Sequence, residues 1–332
     1  MKTFVIAEAG ANHNRDYDKA ISLIEAAKEA NASAVKFQTY SSETLYAKNT
    51  PDFAGYKNIN KLIKEIELPR EWQKDLKKYC DDRNIEFMST PFDEKAVEEL
   101  VSIGVKRLKI AGFESTDFRF VEMVASTKLP LIISLGIGFD RSHHLKPLLD
   151  ITRKYENELT LLHCNNAYPT PIEDCGLHAL KELINKFPST CGLSDHTESI
   201  SIPSTAVALG ATTIEKHFTL NRSLPGPDHE FALEPLELKQ MIDLISKVEK
   251  SLYPPSGIYS QSEENFKNAR RSVVSRITLS PGEIISKENI TTKRPFLKDS
   301  IPASSFFEVL GSKVKNKIEA DSCLSIGDVD FY

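Results

Sequence analysis

Along most of the chain, short β-branched runs alternate with stretches of helical periodicity. The runs begin near Thr3 (TFVIAEAG), Ser33 (SAVKFQT), Glu86 (EFMST), Lys106 (KRLKIAG), Leu129 (LPLIISLG), Leu159 (LTLLHC), Thr190 (TCGLSD) and Thr212 (TTIEKHF). Polar or glycine-containing turns bound them, as they bound strands. After the first run, Ala20, Leu23, Ile24 and Ala27 recur at i, i+3, i+4 and i+7, which marks one apolar helix face. Asp93 is placed to cap the third helix, and Pro235 to open the eighth. Eight strand–helix units within about 250 residues predict an α/β fold of the (β/α)8 TIM-barrel type. A doubly wound sheet could also use eight strands, but it would carry a glycine-rich dinucleotide fingerprint after the first, and this chain has none there.

Two stretches break the rhythm. Residues 40–68 separate the second run from its helix, where a βα connection usually needs only a few residues. On a barrel such a segment lies over the carboxyl edge, as a substrate lid or as a tolerated insertion. After a barrel of residues 1–252, Pro254 and Pro255 predict a rigid turn that opens a polar linker over 253–270. Residues 271–332 then show short β-like pieces, a Ser-Pro-Gly turn and no long helical pattern, the mark of a small β-rich domain. So small a core needs something to dock on, either its own barrel or a second subunit.

Composition narrows the partners. The 332 residues are 40% hydrophobic and 27% charged, an ordinary globular balance. A net charge of -5 without any basic run argues against nucleic acid. No apolar stretch is long enough to span a membrane. Five scattered cysteines fit a reducing cytoplasm rather than a disulfide framework or a cysteine-based zinc site.

The candidate chemistry lies at the carboxyl ends of the strands. His196 and His217 end successive runs in GLSDHTESISIPSTAVALGATTIEKH, and strand alternation puts Ser194 with His196 and Glu215 with His217 on one face. Two neutral imidazoles with carboxylates nearby suit a borderline divalent metal. Lys36 shares a face with Gln38, and Lys109 repeats the pattern in RLKIAG. A lysine facing a packed barrel interior is costly to desolvate unless an anion pairs with it. Neither has an acid beside it on its own strand, which points to a multiply charged anionic ligand; the alternative is structural pairing with Glu8 or Glu114. Of the remaining histidines only His13, in the first βα turn, is a candidate to touch ligand, and Cys164 reads as a small buried residue.

Read together, IAEAGANHN (6–14), VKFQTY (35–40), STPFD (89–93), LKIAGFE (108–114), LLHCNNAYPTP (161–171), GLSDHT (192–197), ALGATTIEKHFTL (208–220) and PGPDHEFALEP (225–235) resemble the sialic acid synthases. The tail, from RRSVV through KRP to LGSKV, is similar to that family's antifreeze-like (SAF) domain. The resemblance implies condensation of phosphoenolpyruvate with an N-acylated mannosamine-type sugar. It implies that Lys36, Gln38, Thr90, Lys109, Ser134, Asn166 and Ser194 hold phosphoenolpyruvate, and that His196 and His217 hold Mn2+ or Mg2+. Glu8, Glu114, Tyr168 and Asp228 would face the sugar, with Glu8, Glu114 and Lys109 serving the chemistry. Arg294 of the small domain would reach the N-acyl group across a domain-swapped homodimer. The chain departs from the pattern at Gly112, where a serine is usual, at Leu135 after Ser134, and in PFLKDSIPASSF, which replaces a glycine-rich turn after Arg294. PGPDH is similar to the neuraminate and legionaminate branches, whereas IAGFE leans to the pseudaminate branch. A metal-dependent aldolase or isomerase on the same barrel, and a non-catalytic carbohydrate-binding protein, are the competing readings.

Overall fold

The computed structural model describes residues 2–52, 55, 57–188, 190–252 and 260–331. Two compact units divide it, Met1–Tyr253 and Pro254–Tyr332. In the first, eight parallel strands form one sheet: β1 Phe4–Gly10, β2 Ala34–Thr39, β3 Glu86–Pro91, β4 Leu108–Ile110, β5 Leu131–Leu135, β6 Leu159–Cys164, β7 Cys191–Asp195 and β8 Thr213–His217. Their order is β3-β2-β1-β8-β7-β6-β5-β4. At the remaining seam β3 packs beside β4, and Arg107 Nε donates to Glu86 Oε1 at 2.7 Å. This is the expected TIM barrel.

Helices α1 Tyr17–Glu29, α2 Ile59–Ile66, α3 Gln73–Asp82, α4 Glu94–Ser102, α5 Phe118–Ala125, α6 Arg141–Lys154, α7 Leu177–Lys186, α8 Ser201–Ala208 and α9 Pro235–Ser251 connect the strands. Aspartates punctuate four of them. Asp16, Asp93, Asp117 and Asp140 each accept a backbone N–H at a helix start, an interaction typically worth about 1 kcal/mol. Pro235 occupies the first turn of α9, where its missing N–H costs nothing.

Alternation along the strands splits the barrel into two chemistries. Outward residues such as Val35, Phe37, Leu108, Ile133 and Ile214 pack against the buried helix faces, including Leu23, Ile24 and Ala27 of α1. Inward residues Ile6, Ala34, Met88, Ile132 and Leu162 make a separate apolar floor. Farther along the same strands the inward positions turn polar, so the floor carries a charged layer facing the carboxyl edge.

The long second connection is docked and partly helical. Its α2 buries Ile59, Ile63 and Ile66 against Ala11 and Tyr40, with Phe92 packed alongside. It therefore sits on the carboxyl ends of β1, β2 and β3. The proposed Pro254–Pro255 turn lies outside the described residues. Residues 260–270 are less of a plain linker than expected, because Gln261–Ala269 forms 3-10 turns capped by Ser260 and Glu263.

The second unit has two small antiparallel pairs, β9 Ser272–Ser275 with β10 Ile290–Lys293, and β11 Lys313–Val314 with β12 Val329–Asp330. They enclose a core of its own around Val273, Ile285, Ile290, Val309, Val314 and Leu324. Arg294 lies just past β10 and is exposed. The segment after it is a turn closed by Ser300, whose Oγ accepts from Leu297 N at 2.9 Å.

Candidate active site

One hydrogen-bonded layer joins six of the seven residues expected to hold phosphoenolpyruvate. Lys36 Nζ donates to Thr90 Oγ1 at 2.9 Å and pairs with Glu8 Oε2 at 2.8 Å. Gln38 Nε2 donates to the other Glu8 oxygen at 2.8 Å. Lys109 Nζ donates to Ser134 Oγ at 2.8 Å and to the Ile110 carbonyl at 3.0 Å. Glu215 bridges the two lysines, 3.7 Å from Lys36 and 3.5 Å from Lys109, and accepts from Ser194 Oγ at 3.1 Å. Strand register explains the meeting, since Glu8 faces Lys36 across β1–β2, and Ser194 faces Glu215 across β7–β8.

This arrangement corrects the picture of two lysines without acids. Glu8 does pair with Lys36, whereas the bridging acid is Glu215 rather than Glu114. Burial acts against every charge here, and the partners decide each outcome. Although burial opposes the Lys36 ammonium, Glu215 and Glu8 hold it above its ordinary range. For Lys109 burial wins, and its ammonium is lowered despite Glu215. Burial also opposes charge on Glu215, but Lys109 and Lys36 keep its carboxyl below the usual range. Burial pushes Glu8 up to about 7, with Lys36 pulling the other way. Sequence reasoning counted Glu215, with Asp195, only as a carboxylate near the two imidazoles and missed its pairing with both lysines; the signal was the inward parity it shares with His217.

The two histidines stand side by side above this layer, ring centroids 5.4 Å apart. Burial lowers His196 to about 4 and His217 well below its ordinary value, so both rings are neutral near pH 7. His196 Nδ1 lies 2.6 Å from the Asn165 carbonyl, which fixes the proton there and leaves Nε2 as the lone-pair donor. His217 Nδ1 is buried without a partner. A Cβ on Gly10 would stand 2.6 Å from Asp228 Oδ2 and 3.4 Å from His217 Nδ1, so the backbone leaves room where both side chains converge. Neutral imidazoles, one with an orphaned buried nitrogen, fit a borderline divalent cation. Among the described residues no group of three or more His, Cys, Asp or Glu is arranged to hold a metal ion, and His196 and His217 are the two that would hold one.

The other expected residues ring the mouth. Tyr168 packs on His196 with its ring tilted by 44°, 4.2 Å between centroids, and lies 6.1 Å from His217. Asn166 Nδ2 donates to the Tyr168 hydroxyl at 3.3 Å. Asp228 Oδ2 accepts from Ala11 N at 3.1 Å, and burial raises its carboxyl. Glu114 is pushed up to about 7 by burial, against the field of Lys109, and its Oε2 is buried without a partner. Arg294 belongs to the other unit and is exposed there. His13 is not at the mouth. Its ring packs near Phe37, an outward residue, and Trp72, and its Nδ1 accepts from Arg15 N at 3.0 Å. Cys164 is buried, as expected.

The chain is 38% identical to the N,N'-diacetyllegionaminic acid synthase of Legionella pneumophila, over 98% of this chain and 94% of that protein. It is 34% identical to a pseudaminic acid synthase of Campylobacter jejuni, over 98% and 96% respectively. The crystal structure of N-acetylneuraminic acid synthetase from Leptospira borgpetersenii superposes with a TM-score of 0.73 at 35% identity, covering 80% of this chain and 90% of that one. The SAF domain model matches residues 270–330, and the NeuB family model matches residues 23–254. The chain belongs to the NeuB family, with a SAF domain after its barrel.

Proposed function

We propose that this chain is a nonulosonic acid synthase. It condenses phosphoenolpyruvate with the open-chain form of an N-acylated mannosamine-type sugar and water, giving a nine-carbon 2-keto-3-deoxy acid and phosphate. The acceptor is N-acetylmannosamine or a 2,4-diacetamido-trideoxy hexose. The observation that carries this reading is the buried layer of Lys36 and Lys109 with Thr90, Ser134 and Ser194, edged by the half-buried Gln38, beneath two neutral imidazoles. Relatives named for legionaminic, pseudaminic and neuraminic acid synthesis support it.

Lys36 and Lys109 take the carboxylate and phosphate of phosphoenolpyruvate by charge-assisted hydrogen bonds, with Gln38, Thr90, Ser134, Asn166 and Ser194 as neutral donors. Glu8, Tyr168 and Asp228 hold the sugar hydroxyls, and Glu8 orients the aldehyde carbon toward carbon-3 of the enol. His196 and His217 would hold a divalent cation, Mn2+ or Mg2+, which when bound would supply Lewis-acid polarisation of the aldehyde. As the carbon–carbon bond forms, the enol pair leaves carbon-2 electron-poor, and the aldehyde oxygen becomes an alkoxide. Glu114 takes a proton from the water that adds at carbon-2 and passes it on to that alkoxide, giving the new hydroxyl. The resulting tetrahedral centre breaks its carbon–oxygen bond: phosphate leaves with the bridging oxygen and the proton of the carbon-2 hydroxyl, and carbon-2 becomes the ketone. Arg294, supplied by a second copy in a homodimer, contacts the N-acyl group.

Phosphoenolpyruvate carrying oxygen-18 at the bridging position tests the scheme, with a panel of N-acyl hexosamines as acceptors and Mn2+ present or chelated. The label is expected in phosphate, and only with a competent acceptor. Label retained in the sugar acid, or phosphate release that ignores the acceptor, would end the proposal.

A further inference from the structure

Three loops of the carboxyl edge meet at Gly112, Gly136 and Asn166, which lie just past β4, β5 and β6. A Cβ on Gly136 would stand 2.0 Å from Asn166 Oδ1 and 2.8 Å from Gly112 Cα. One on Gly112 would stand 2.7 Å from Asn166 Oδ1, 3.0 Å from its Nδ2 and 3.1 Å from Gly136 Cα. Neither glycine has a positive φ, so space rather than backbone conformation demands the missing side chains. In that space Asn166 Oδ1 accepts from Ile137 N at 2.8 Å. This bond fixes which way the carboxamide faces and leaves Nδ2 as the donor that reaches Tyr168. Tyr168 in turn lies on the His196 ring.

We infer that Gly112 and Gly136 are positioning residues, whose absent side chains form the slot that aims the Asn166 amide at the mouth and seats Tyr168 against His196. The inference rests on the proposed function in one respect, that Asn166 is a phosphoenolpyruvate ligand. A side chain at position 112 must push the carboxamide out of the slot, breaking the Ile137 bond and the Tyr168 contact together. Deleting the amide first leaves the new side chain little to displace, so the two changes are coupled.

The test is a double-mutant cycle of Gly112→Ala and Asn166→Ala, read by calorimetric titration of phosphoenolpyruvate, steady-state kinetics and thermal melts. Alanine supplies the Cβ alone, without the ligand-side hydroxyl that the serine usual at this position would add. Gly112→Ala is expected to weaken phosphoenolpyruvate binding about tenfold, the scale of one lost hydrogen bond to a charged group. It should raise KM for phosphoenolpyruvate more than it lowers kcat. The double variant should bind no more weakly than Asn166→Ala alone. In the melts Gly112→Ala should lower Tm, and Asn166→Ala in that background should recover part of the loss. Where Gly112→Ala alone does not fold, recovery of a folded chain on adding Asn166→Ala carries the same expectation. Effects that simply add, or a Gly112 variant with parental affinity and Tm, overturn the inference. The melting arm needs no substrate. If the parent chain fails to bind phosphoenolpyruvate, the functional proposal falls while the slot is still judged on the coupled melts.

Discussion

Lys36 Nζ lies 2.8 Å from Glu8 Oε2 across the β1–β2 ladder, with both side chains almost wholly buried. The ammonium is thus matched inside the protein before any ligand arrives. Because Glu215 lies near both Lys36 and Lys109, the layer sets two lysines against two carboxyl groups. An incoming anion must compete with Glu8 and Glu215 for the lysines, so binding rearranges this layer rather than filling a ready-made positive hole.

That competition separates stability from activity. Lys36→Met leaves two buried carboxylates facing one lysine, and breaking a buried pair from one side typically costs about 3–5 kcal/mol. Glu8→Gln/Lys36→Met removes one charge of each sign and should recover most of that loss in urea denaturation. Both variants should release no phosphate from phosphoenolpyruvate, since each lacks an anion-holding lysine. A double variant as unstable as Lys36→Met would show that the pair does not balance as described.

The orphaned Nδ1 of His217 leads to the opposite separation. This ring is buried, neutral and short of a hydrogen-bond partner, so part of its cost in the folded state is uncompensated. His217→Ala should lose activity by orders of magnitude. The relieved polar group should offset much of the lost packing, keeping the stability change below the about 2–5 kcal/mol of ordinary large-to-small core substitutions. Mn2+ titration followed by electron paramagnetic resonance should show the parent binding the ion and the variant not. Equal Mn2+ binding in both would remove His217 as a ligand.

Strand faces were legible in the chain, but cross-strand partners were not. Alternation alone put Lys36, Lys109, Ser194, Glu215, His196 and His217 inside, because the period of two is fixed by backbone geometry. Which acid meets which lysine depends on register and on the stagger of a closed barrel, and no local pattern carries that. Hence Glu215 was read as a carboxylate near the histidines and not as the bridge between the lysines, although its parity was known. His13 misled for a related reason: a polar turn after a strand can face the mouth or tuck behind the wall, and its packing near Phe37 and Trp72 decided the matter. Gly112, where a serine is usual, read only as a departure from the family's pattern. In the folded chain its missing side chain is the space taken by the Asn166 amide.

Glu114 links activity and stability through pH. Its carboxyl is raised to about 7 by burial, against 4.5 in an exposed chain. Between those values the folded protein binds more protons than the unfolded one, so stability falls as pH rises from about 4.5 to 7. Glu114→Gln removes that loss and should be more stable at pH 8 than the parent, by up to about 3 kcal/mol. As the base for the attacking water, Glu114 must be ionised, so kcat/KM should rise with pH through about 7. The glutamine variant should lose both the rate and that limb of the profile. A profile whose rising limb survives the substitution would assign the proton to another group.

Behind the two histidines, on the outer side of the wall, Lys216 pairs with Asp195 at 2.6 Å, and both are buried. Lys216 also donates to the Thr197 carbonyl, while Asp195 Oδ1 accepts from Thr197 N at 3.0 Å. The pair therefore fastens the first residues after β7 to β8, and the fastened residues flank His196 on one strand and precede His217 on the next. Lys216→Met strands the Asp195 carboxylate and releases the Thr197 carbonyl, so a loss of about 3–5 kcal/mol is expected. If the strap also holds His196 in place, the Thr197 amide should exchange with deuterium faster in Asp195→Asn/Lys216→Met than in the parent, even where that neutral pair restores stability. Unchanged exchange at Thr197 in a stable double variant would mean that the Asn165 carbonyl alone fixes the His196 ring, and that the buried ion pair serves only the wall.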